Sequence, residues 1–323
     1  MMTGITGRVA AYIVTFAIAA PCGFAAAPEN AQSQPASGSS QENLAALGKK
    51  LSDPLSDIWA LFTEVDATWS EGDFSNGDHR SGSRMLFQPI MPIRLTENWK
   101  ILMRPTVPVV FAQDIPVGRR WDSSESTDGT TVFLKSDGSA VFDDKDGLGD
   151  IALPLPFTPV QKPGATGLGW GIGPTFQFPT ATDDSLGTDT WEVGPVGVLT
   201  YKSEGFMAAT MAQYWWNVAE TNSRATDTSH GSLLYLAFWD LPRTWQIGFA
   251  PTITYNDKAT SGNKWNVPVG LTIGKMHKFG NFPVKFQLAI EKSIVREDDF
   301  GLDWNIRFNI IPVIPSLVKK PLF

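Results

Sequence analysis

At 323 residues the chain could hold one large domain or two ordinary ones. Its net charge of −7 gives no basic footprint for nucleic acid, and its single cysteine excludes a disulfide and a thiolate metal site. No later stretch approaches the roughly 18 apolar residues of a membrane helix.

The amino terminus has the form of a secretory signal peptide over 1–27. Arg8 supplies the positive end, 9–20 is apolar, and Ala25, Ala26 and Ala27 offer small residues for cleavage. Cys22 leaves with it. Residues 28–54 begin as an Ala/Ser/Gln/Pro linker. They end in a weak helical spacing over 42–50 (Leu44, Leu47, Leu51), which can hang in the periplasm or enter a lumen.

From 55 to 314 the pattern is strand after strand. The stretches 57–69, 84–95, 99–111, 150–157, 168–178, 192–201, 206–218, 232–239, 245–255, 265–276, 283–295 and 303–313 alternate apolar with polar or small residues. In 245–255, Trp245, Ile247, Phe249, Ile253 and Tyr255 share one face; Gln246, Gly248, Ala250, Thr252 and Thr254 share the other. Connections at 96–98, 159–165, 203–205, 242–244 and 278–281 are short. The alternate connections, 70–83, 113–149, 180–191, 220–229, 256–264 and 297–302, form a class of mostly longer loops, largely polar or acidic. A soluble sandwich has no reason to alternate so. An outer-membrane β-barrel has periplasmic turns on one side and extracellular loops on the other, with an even strand number. The fold class expected is therefore an all-β transmembrane antiparallel barrel of about twelve strands, with a tail at 315–323. Tryptophans at strand ends (Trp69, Trp99, Trp170, Trp191, Trp215, Trp216, Trp239, Trp245, Trp265, Trp304) suit the headgroup level on both rims.

Period two also fixes the faces, because a slip of one residue exchanges them. With Val284, Phe286, Leu288 and Ile290 towards lipid, the expected lumen gathers the acids Glu64, Asp66, Asp150, Glu192, Glu291 and Asp303. It gathers the bases Arg84, Arg94, Lys100, Arg104, Lys285 and Arg307, with Gln177 and Gln287. Such charges can screen a polar pore or fill a narrow barrel with internal salt bridges, and both readings stay open here. Closure between first and last strands would set Glu64 or Asp66 against Arg307. Prolines within strands, Pro105, Pro154, Pro156 and Pro251 among them, lack a ladder donor and call for kinks or bulges.

Catalytic patterns are sparse. His230 and Ser232, two apart on one strand, could be the base and nucleophile of an outer-membrane lipid hydrolase. Extrapolation from Leu234, Leu236 and Phe238 would place them towards lipid. His79 and His277 stand isolated in sequence, so no metal site is expected, and no cofactor motif occurs. The acidic run 143–147 reads as a solvated loop rather than a calcium site. The 113–149 loop is long enough to fold inwards as a lid.

Several motifs carry a likeness to a known family: Gly-Leu-Gly-Asp (147–150), Trp-Gly-Ile-Gly-Pro (170–174), Pro-Thr-Ala-Thr-Asp-Asp-Ser-Leu-Gly (179–187), Trp-Glu-Val-Gly-Pro (191–195) and Lys-Trp-Asn-Val-Pro-Val-Gly (264–270). Over about 54–312 the chain resembles the outer-membrane family named for the meta-pathway of phenol degradation. The resemblance implies a non-enzymatic, porin-like barrel in outer-membrane lipid that passes small aromatic or hydrophobic solutes. It supplies no catalytic residues. The terminal Phe323 resembles the assembly signal read by the barrel-assembly machinery, although Pro315 and Pro321 interrupt the strand before it.

Overall fold

Period-two alternation produces one antiparallel sheet that closes on itself. The computed structural model describes residues 37–117, 132–162, 164–221, 225, 227–318 and 320–323; the expected signal peptide lies outside them. A helix, α1 (Ser37–Ser52), comes first, followed by β1 (Ala60–Glu71), β2 (Arg80–Arg94), β3 (Trp99–Met103) and β4 (Val107–Pro116). Then come β5 (Phe142–Leu148), β6 (Ile151–Pro154), β7 (Phe157–Pro159), β8 (Gly167–Phe178), β9 (Thr190–Ser203) and β10 (Phe206–Glu220). The chain closes with β11 (Ser229–Asp240), β12 (Trp245–Phe249), β13 (Thr252–Asn256), β14 (Trp265–Phe279), β15 (Phe282–Val295) and β16 (Gly301–Pro312).

These 16 segments make a closed barrel of 12 strands. Proline accounts for the difference, since it removes a ladder donor. Segments β3 and β4 are one strand along β2, broken at Arg104-Pro105-Thr106. Segments β12 and β13 are one strand along β11, broken at Ala250-Pro251. Segments β5, β6 and β7 follow one line, interrupted on either side of β6. Closure is made by β1, which pairs with β2 and β16 and sets Asp66 opposite Arg307.

The two ends differ as the connections require. Glu204-Gly205 and Gly280-Asn281 suffice to join neighbouring strands, with Gly205 (φ 68°) and Gly280 (φ 59°) supplying the left-handed residue of a tight hairpin. At the other end, β4 and β5 carry the wall into the region read as the 113–149 loop. The lid expectation thus falls mainly on residues 118–131, outside the described residues. The acidic run 143–147 is solvent-exposed but lies in a strand, β5, rather than a loop, and Lys145 there meets Asp143 (3.0 Å) and Asp183 (3.6 Å).

The outer surface is a continuous apolar belt. Ile172, Leu271 and Ile290 are 62, 60 and 50% exposed, with Leu199, Leu288, Ile306 and Phe308 among their equals. A surface of this extent is incompatible with water and fits hydrocarbon. Trp99, Trp170, Trp191, Trp216, Trp239, Trp245, Trp265 and Trp304 are exposed on the same face. Trp69 is half-buried, and Trp215 is buried inside with its ring stacked on His230. Leu271→Arg is expected to destabilise the barrel by about 2–4 kcal/mol at mid-belt depth. Denaturant unfolding in detergent or vesicles checks it.

Candidate functional site: a plugged, two-sided lumen

The interior is built from the opposite parity of each strand, and its floor is the chain's own amino-terminal segment. The α1 helix enters the short-turn end, longer than the expected 42–50. Leu44, Leu47 and Leu51 pack with Phe62, Ile90, Met276 and Ile311. Leu55 continues the plug against Leu102, Val196, Val198 and Met211.

Three lysines fasten this segment. Lys285, 1% exposed, donates to Gly48 O (3.1 Å) and Ser52 Oγ (2.5 Å), so a buried cation caps the carbonyl end of α1, where the helix dipole favours it. Lys100, equally buried, donates to Leu55 O (2.6 Å) and pairs with Asp57. Lys202 pairs with Asp53 at 2.8 Å. Ser52 also donates to Gln246 (3.2 Å), and Lys49 reaches Ser203 O and Asp240. The lysines read as lumen charges, Lys100 and Lys285, therefore hold the plug.

Above the plug lies a cavity of about 350 Å³, floored by Leu51, Ser52, Asp53 and Pro54. Strands β15, β16, β1 and β2 give it a charged arc. Arg307 Nε lies 3.0 Å from both Glu64 and Asp66, and its Nη1 lies 3.2 Å from Glu291. Arg84 Nε holds the other oxygen of Asp66 at 2.9 Å. Gln287 accepts from Asn309 at 3.4 Å. Arg104 enters the same cavity from the break between β3 and β4, its guanidinium 4.9 Å above the Phe62 ring.

The facing arc is apolar: Met211 on β10, Leu234, Leu236 and Phe238 on β11, and Ala250 beyond β12 line the cavity. This corrects the sequence reading, which turned Leu234, Leu236 and Phe238 towards lipid. On β11 the lipid face is Leu233, Tyr235 and Trp239, of which Leu233 and Trp239 are exposed. Both faces of β11 are greasy, so polarity could not fix its register.

The same inversion moves His230 and Ser232 inside. His230 Nε2 is 2.7 Å from Glu192, which also accepts from Thr228 (2.7 Å) and Thr190 (3.0 Å). Ser232 takes a long hydrogen bond from Gln213 (3.5 Å) and lines the cavity. Neither faces the bilayer, where a lipid hydrolase would meet its substrate.

Other expected lumen residues lie elsewhere. Gln177 is buried on β8 opposite Glu192. Arg94 has the inward parity but is exposed at the short-turn rim, where its carbonyl accepts from Leu322 N. Asp150 is taken up by a loop, accepting from the amides of Thr180 (2.9 Å), Ala181 (3.0 Å) and Thr188 (2.7 Å). Nearby, hydrogen bonds from the Ser185 hydroxyl and amide hold the Asp183 carboxyl below its usual range.

Asp303 joins a clasp that sequence reasoning missed. His79, isolated in sequence, lies 3.2 Å from Glu71 and 3.1 Å from Asp303. The geometry of these three could hold a metal ion. Arg296 (2.6 and 3.2 Å) and Lys292 (3.0 Å) already neutralise both carboxylates, so the group ties the ends of β1, β15 and β16 together.

A closed 12-stranded barrel, greasy outside and carrying a plugged interior of mixed polarity, defines an outer-membrane-type β-barrel protein. The chain belongs to the family described as "Putative MetA-pathway of phenol degradation", whose model matches residues 95–293. Among solved structures it is similar to the COG4313 outer membrane channel from Pseudomonas putida F1, with a TM-score of 0.53 and 13% identity, over 80% of this chain and 96% of that one. Weaker likenesses are to the NanC porin (TM-score 0.42, 8% identity, 78% and 99% covered) and the CymD monoaromatic hydrocarbon channel (0.34, 12%, 86% and 92%). No curated protein matches the chain.

Proposed function

We propose that the protein is a porin-like outer-membrane channel passing small, partly apolar molecules, aromatic ones included, down their gradient without a cofactor. The observation that carries this reading is the two-sided lumen. Leu234, Leu236 and Phe238 give an apolar body a surface, while Arg84, Glu64, Glu291 and Arg307 form a charged arc facing them. A barrel built only as a structural element needs no cavity between such walls, and buried charges need only each other. The family match and the fold of the channel from Pseudomonas putida F1 support the same direction. Outer-membrane lipid is the surrounding partner, and the barrel-assembly machinery is the one that would insert it.

Swelling of proteoliposomes tests this. Aromatic acids are expected to enter faster than sugars, and Leu236→Ser with Phe238→Ser is expected to lower that preference severalfold. Absence of swelling with every solute would remove the transport reading.

A further inference from the structure

Three arginines line the cavity, and they are not equivalent. Arg84 and Arg307 are each held by carboxylates at 2.9–3.2 Å. Arg104 has no carboxylate within ion-pair distance among the described residues, and its Nε is buried without a hydrogen-bond partner. The side chain is half-buried, and a buried N–H without a partner calls for an explanation. Packing does not supply one. The guanidinium carbon lies 4.9 Å from the centroid of the Phe62 ring, a contact that uses the charge but none of the N–H donors as a hydrogen bond would. Those donors form the fork that fits a carboxylate bidentately. Glu64, which lines the same cavity, is already held by Arg307 at 3.0 Å.

We propose that Arg104 is the anion-recognition residue of the lumen, and that the cavity binds small monocarboxylates with an apolar body, of the aromatic-acid type. The carboxylate pairs with the Arg104 fork, and the ring or chain lies towards Met211, Leu234 and Leu236 on the facing arc. The volume, about 350 Å³, is at the small end of ligand pockets. The position follows from the fold. Arg104-Pro105-Thr106 is where the third strand breaks, and Thr106 crosses to Ala152 by an isolated bridge, so the wall yields there while the side chain points inwards. This proposal rests on the channel reading for its biological sense but not for its chemistry.

The test uses benzoate and its neutral isostere benzamide on the purified, full-length processed protein. Titration calorimetry in detergent is expected to show benzoate binding at least ~10-fold tighter than benzamide, as a charge-assisted hydrogen-bonded pair provides. Arg104→Gln is expected to abolish the difference, and Arg104→Lys to restore part of it. The Gln variant removes an unpaired charge, so its heat-modified mobility on gels should match the parent and report a folded barrel. Equal affinity for benzoate in parent and Arg104→Gln would overturn the proposal. Swelling assays with the same two solutes separate the two claims. Binding that depends on Arg104 without swelling removes the channel reading and leaves the site. Swelling with no preference for benzoate removes the site and leaves the channel.

Discussion

Arg307→Leu is expected to be among the most destabilising single substitutions in this barrel, at about 3–5 kcal/mol. The guanidinium sits between three carboxylates, Glu64, Asp66 and Glu291, all within 3.2 Å, where the first and last strands close. Asp66 keeps Arg84 after the substitution, but Glu64 and Glu291 lose the cation that compensates their burial. Removing one partner from a buried cluster costs far more than replacing the whole cluster, because the surviving charges stay desolvated. Glu64→Gln with Glu291→Gln in the Arg307→Leu background is therefore expected to recover most of the loss. Unfolding in guanidinium, followed by tryptophan emission, measures both steps. A loss below about 1 kcal/mol, typical of exposed pairs, would mean that water reaches the cluster and that the arc is an open aqueous wall.

How far the molecule could be read from its sequence depends on contrast between the faces of each strand. Strand β15 alternates Lys285, Gln287, Ala289 and Glu291 with Leu288 and Ile290, so a slip would set charge against hydrocarbon, and its register was legible. Closure of the first strand on the last pointed to Glu64 or Asp66 against Arg307, and Arg307 meets both. Strand β11 has no such contrast from Leu233 to Trp239, where residues of both parities are apolar or aromatic. Its inward wall was invisible for that reason, and His230 and Ser232 were inverted with it. The twelve-strand count survived the prolines because each break keeps its neighbours on either side. Whether the amino-terminal helix hangs in the periplasm or enters the lumen was not legible, because α1 is weakly amphipathic. A signal did exist in the two inward lysines, Lys100 and Lys285, which have no acid opposite them on adjacent strands. Lys100 faces Arg94 and Thr158, and Lys285 faces Met276 and Ile311. Cations buried without a cross-strand acid must find acceptors elsewhere, and the amino-terminal segment supplied them.

Deleting residues 37–52 is expected to raise single-channel conductance severalfold, because their last two residues, Leu51 and Ser52, floor the cavity with Asp53 and Pro54. The barrel should survive the deletion. Its ladder closes between β1 and β16 without help from α1, and Lys285 would face solvent in place of the helix carbonyls. A milder version isolates the fastening. Lys285→Gln keeps the helix but removes the cation at its carbonyl end, an interaction worth up to about 2 kcal/mol in a buried setting. A loosened plug should then visit the open state more often at unchanged unit conductance, and planar-bilayer recordings distinguish these two outcomes. If solute passes around a fixed α1, the deletion will widen the pore while Lys285→Gln leaves the recordings unaltered. If α1 must move for solute to pass, both variants will increase mean current, the second through open probability alone. A deletion variant with the parent's conductance would place the constriction at the long-loop end, and the plug would then serve only to brace the wall.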